Sequence, residues 1–163
     1  MKLPWLLLLM PIFAWANITP NTLSENIAAS GAKQVVANFK QDDWNVIFSG
    51  VASGKKEWLD IVPMLAPVID AARSNSLEDA LASALTTNTP AALKTLDVLD
   101  AKKYPFMIGS DLVCVPPLDK SKDEILTFYN KTREALLDNS EGAKCLWILE
   151  SSMNEWQHSQ QAK

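Results

Sequence analysis

An all-α fold, a compact bundle of about six to seven short helices closed by one disulfide, is what this 163-residue sequence predicts. Three observations carry it. Apolar residues recur at helical spacing in nearly every segment after about residue 20. Capping residues, glycines and most prolines fall between those segments. Cys114 and Cys145 are the only cysteines, so a bridge has one possible connectivity. Neighbouring helices could stack as αα-hairpins, but no fixed-period repeat marks a solenoid.

The chain opens with Lys2, an apolar run from Leu3 to Phe13, and Ala14-Trp15-Ala16. A cationic start, an apolar core and a small-x-small site are what a signal peptidase reads. Residues 1–16 are therefore expected to be a bacterial signal peptide, leaving 17–163 as a single helical domain with a polar tail from about 158. The run is shorter than the ~20 apolar residues that span a bilayer, and no second one follows, so no membrane contact is expected after cleavage.

Ile27, Val35, Val36 and Phe39 belong to a helical region over roughly 21–40, broken at Gly31. Asp42 or Asp43 is expected to cap a short helix carrying Trp44, Ile47, Phe48 and Val51, with Gly50 and Gly54 bracketing its end. From about 55 to 73 a broad apolar stripe predicts a central, mostly buried helix. Pro63 and Pro67 lie inside it and each removes a backbone donor, so it is either kinked or divided into two shorter helices.

Ser76-Leu77-Glu78-Asp79 resembles a capping box and is expected to start a helix over 76–87. Thr89-Pro90 reads as a cap followed by proline for the next helix, 89–101, and the two form an αα-hairpin. Pro105, Gly109, Pro116 and Pro117 exclude a long helix from 104 to 119; an ordered loop over the core is expected, or a short strand. Ser121 with Glu124 forms a capping box for a helix that stops near Asn139, and a last helix covers roughly 141–157.

In an oxidising compartment Cys114 and Cys145 are expected to pair; the alternative is two buried free thiols. A closed loop of about 30 residues is worth on the order of 3–4 kcal/mol in the chain-entropy model. Loss of Lys2 with the leader leaves the mature chain at a net charge of −5. Nucleic acid needs a basic stripe, so this balance argues against it as a partner, and against an anionic membrane surface.

Residues that would carry chemistry are sparse. The single histidine, His158, falls in the polar tail, where a catalytic triad has no support. No zinc-ligand spacing, phosphate loop or dinucleotide fingerprint occurs, so no cofactor and no metal is expected. Glu57 with Asp60, and Asp97 with Asp100, sit at helical spacing on polar faces and read as solvated surface. Asp70 and Arg73 read as an ion pair at a helix end or as a contact for a partner. Trp147, between Leu146 and Ile148, is expected to be partly exposed and is the third candidate partner contact. Trp44 and Trp58 are expected in the core.

Trp58-Leu59-Asp60, Leu65 to Ala71, Leu81 to Leu85 and Asn88 to Leu93 together resemble a group of small exported bacterial proteins, some carried on integron gene cassettes. Val113-Cys114 before Pro116-Pro117, and Lys144-Cys145-Leu146, look like that group's two cysteine positions. The resemblance covers roughly 44–150 and brings no activity with it. A looser likeness, in export, helicity and a cysteine before a helix, is to periplasmic immunity proteins that neutralise secreted peptidoglycan amidases. The expectation is a non-enzymatic periplasmic or secreted module that binds a protein, of inhibitor or immunity type. The alternatives are a small hydrolase using carboxylates such as Asp60 or Asp70, and a carrier of a small apolar ligand.

Overall fold

A computed structural model describes residues 18–106 and 108–161; the expected signal segment, 1–16, lies outside the described residues. In chain order the helices are α1 (Pro20–Ser30), α2 (Ala32–Val36), α3 (Gln41–Ala52), α4 (Lys56–Leu59), α5 (Val62–Leu65), α6 (Ala71–Thr87), α7 (Thr89–Asp100), α8 (Ser110–Val113), α9 (Lys122–Leu137) and α10 (Ala143–Gln161). A 3-10 turn at Ser140–Gly142 leads into α10, and no strand occurs among the described residues. The fold is all-α, and Cys114 is bonded to Cys145.

Local chemistry sets the boundaries. Gly31 has φ +82°, where a side chain is strained, and it ends α1 by donating its N–H to the Ile27 carbonyl at 2.8 Å. The cap of α3 is Lys40, not Asp42 or Asp43: the Lys40 N–H donates to Asp43 Oδ2 at 2.7 Å, so the aspartate acts from inside the first turn. Gly50 and Gly54 bracket the end of α3 at Ala52, as expected. Gly50 lies in the last turn of the helix, where a Cβ would stand 2.3 Å from Trp58 Cδ2. The turn comes at Gly54, with φ +69°.

The 55–73 stretch is not one central helix. It divides into α4 and α5, each of four residues, with Pro63 in the first turn of α5 where its missing donor costs nothing. Leu59, Val62, Leu65 and Ala66 are nonetheless buried. The central element is α6, which packs against α3, α7, α8 and α9. It begins five residues before the expected capping box, because the Asp70 carboxylate accepts the Arg73 N–H at 2.9 Å and caps it there. Ser76 is consequently mid-helix. Leu77, Leu81, Ala84 and Leu85 form the buried face of α6.

Asn88 alone joins α6 to α7, and it is the cap of α7 in place of the expected Thr89. Its N–H closes α6 on Ala84 at 2.8 Å, and its side-chain amide donates to the Gly54 carbonyl at 2.8 Å. One residue thus fastens the α6–α7 joint to the turn after α3. The proline-rich segment contains the short helix α8 instead of a strand. Ile108, Val113, Cys114 and Pro116 of that segment are buried. The Ser121–Glu124 capping box is present in both directions: the Glu124 N–H donates to Ser121 Oγ at 3.3 Å, and the Ser121 N–H donates to Glu124 Oε2 at 3.0 Å. The tail around His158 is helical, since α10 runs to Gln161.

Candidate functional site

An open groove of about 720 Å³ lies between α6, the segment after α8, and α9. One wall is the outer face of α6, where Glu78, Ala82 and Thr86 follow at helical spacing with Asp79 and Ser83 beside them. The opposite wall is the run Leu112 to Lys120, which includes Val115, Pro116, Pro117 and Leu118. Glu124, Phe128 and Lys131 of α9 close one side. Two large apolar side chains in this wall face water, Leu112 at 38% and Leu118 at 43% of their area.

Sequence dictates that wall. Pro116 and Pro117 cannot extend α8, so the chain turns out of it, with Pro116 buried and Leu118 exposed. The wall is anchored at its base by the Cys114–Cys145 bridge, whose Cα atoms lie 5.3 Å apart, with both cysteines buried. It is anchored at the start of α8 by a polar clasp. The Ser110 N–H donates to Asp100 Oδ1 at 2.9 Å, and the Ser110 hydroxyl donates to Oδ2 at 2.6 Å. The Lys144 ammonium donates to the same Oδ2 at 2.5 Å. Gly109 is required beside it, since a Cβ there would stand 2.4 Å from Asp100 Oδ1.

Electrostatics identify this clasp as structural. Partial burial pushes the Asp100 carboxyl up, but the bonds from Lys144 and from both donors of Ser110 outweigh it and leave the group below its ordinary range. Hydrogen bonding to Asp100 raises the Lys144 ammonium above its ordinary value. The Ser110 hydroxyl is spent as a donor. Asp100 was expected to be solvated surface, and this is a correction. A carboxylate in the last turn of a helix opposes the helix dipole, and α7 has no basic residue in that turn. That mismatch is the signal in the sequence that Asp100 needs donors from elsewhere.

The sequence-predicted contacts lie elsewhere. Asp70 caps α6 and pairs with the Arg73 guanidinium, which also lies 5.0 Å from the centre of the Trp44 ring. Trp147 on α10 is 70% exposed and does not line the groove. Asp60 pairs with Lys56 one turn earlier on α4. Trp44 is in the core, while Trp58 is half-buried over Gly50. Among the described residues no group of three or more His, Cys, Asp or Glu side chains is placed to hold a metal ion, and no helix is long and apolar enough to cross a membrane.

In comparison with known proteins, the chain matches no family model, no characterised protein and no solved structure.

Proposed function

We propose that this chain is an exported, non-enzymatic module that binds a protein, of the inhibitor or immunity type, and that the groove between α6 and the proline wall is its binding surface. The observation that carries the reading is the pair Leu112 and Leu118, which face water on and just after α8, a helix fixed at its start by the Asp100 clasp and at its end by the disulfide. Apolar side chains on a fixed wall bind well, because little conformational entropy remains to be lost on association. The buried bridge fits maturation in an oxidising compartment such as the periplasm.

The test is capture from periplasmic extract by immobilised wild-type chain and by a Leu112→Asp, Leu118→Asp double variant whose helicity is first checked by circular dichroism. The reading expects a protein retained reproducibly by the wild type and lost by the variant. Nothing reproducible, or equal retention by both, overturns it.

A further inference from the structure

The groove carries an unbalanced charge on its α6 wall. Glu78 and Asp79 are adjacent there, and among the described residues neither forms an ion pair. Glu78 is half-buried and accepts one hydrogen bond, from the Ser74 hydroxyl at 3.0 Å. Burial pushes its carboxyl up, the Ser74 bond pulls it down, and the neighbouring Asp79 charge pushes it up again. The lysines of the groove do not relieve this: Lys120 is drawn to Asp119 at 3.5 Å, and Lys131 of α9 forms no ion pair among the described residues. A partly desolvated carboxylate beside a second one is a position where an incoming cation gains charge-assisted hydrogen bonds and removes a repulsion.

We infer that the groove receives an apolar segment of another protein that brings a lysine or arginine side chain onto Glu78 and Asp79. This rests on the groove being the binding surface. Leu112, Leu118 and Phe128 take the apolar side chains of the segment, and the carboxylate pair sets its register along α6. The net charge, −4 for the full sequence and −5 without residues 1–16, favours approach of a basic segment before contact.

Selection from a library of short random displayed peptides tests this, run in parallel on the wild type, on Glu78→Gln with Asp79→Asn, and on Leu118→Asp, all verified as folded. The wild type is expected to enrich apolar peptides containing lysine or arginine. Those peptides should bind the Gln/Asn variant about tenfold more weakly, equivalent to about 1.4 kcal/mol, and selection on that variant should lose the basic preference. Enrichment of neutral or acidic peptides that Leu118→Asp abolishes would leave the groove as the site but overturn the cation inference. Peptides bound equally by all three proteins, or no enrichment at all, would overturn both.

Discussion

Lys144 and Asp100, 44 positions apart in sequence, meet at 2.5 Å immediately before the cysteine that bridges α10 to the end of α8. A covalent link and a polar clasp therefore hold the same short helix, one at each end. Asp100→Asn keeps the shape but removes the charge, and Ser110, itself buried, loses its charged acceptor. The variant should lose about 1–3 kcal/mol of stability at neutral pH, read from urea unfolding. The carboxyl is shifted below its ordinary value of 3.8, so its contribution is fully present above that value and lost as pH falls through the lower folded one. The gap between wild type and variant should accordingly close in acid, and a gap that widens there would contradict the assignment.

Replacing Cys114 and Cys145 together by alanine opens a loop with a sequence separation of 31. The expected cost is about 3–4 kcal/mol, measured as a lower thermal midpoint for the double variant than for the oxidised wild type. Reduction of the wild type should reproduce that fall, while Asp100→Asn alone should not.

Gly50→Ala tests the close approach of α3 to α4. The new methyl group would meet the Trp58 ring at 2.3 Å, and a rigid indole cannot yield without moving. A loss of about 1–3 kcal/mol is expected. Combining it with Trp58→Leu should cost less than the sum of the two single changes, because the same contact is removed twice.

The tryptophans should divide sharply. Trp44 is 2% exposed, meets Phe39 edge-on at 5.6 Å between ring centres and stacks with Phe48 at 5.8 Å. Trp44→Ala should cost about 3–5 kcal/mol. Trp147→Ala, at 70% exposure, should change stability by no more than about 0.5 kcal/mol. Chemical denaturation of the two variants checks this directly.

The helical class was legible because apolar spacing and capping chemistry agree along most of the chain, as at Gly31 and at Ser121 with Glu124. Boundaries failed where two local signals competed. Asp70 and Ser76 both offer a cap before the same apolar run, and α6 starts at the earlier one, where the Asp70 carboxylate accepts the Arg73 N–H and pairs with its guanidinium. Asn88 and Thr89 compete in the same way, and Asn88 prevails because its amide also reaches Gly54. The division of 55–73 into two short helices was one of the two outcomes its prolines allowed, but the centrality of α6 was not legible, since apolar breadth favoured the 55–73 stretch. The disulfide was foreseeable from the cysteine count taken together with the expected export, the count alone fixing only its connectivity. The groove was not: its walls come from segments about 30 residues apart, and nothing local tells that Leu112 and Leu118 face water opposite Glu78.

The most direct test of the account is a hydrogen-exchange footprint of the chain with and without a partner captured from periplasmic extract. Slowed exchange over 78–87 and 112–120, with α3 unchanged, is the predicted result. Protection confined to other surfaces, such as α3 or the exposed face of α10 around Trp147, would contradict it.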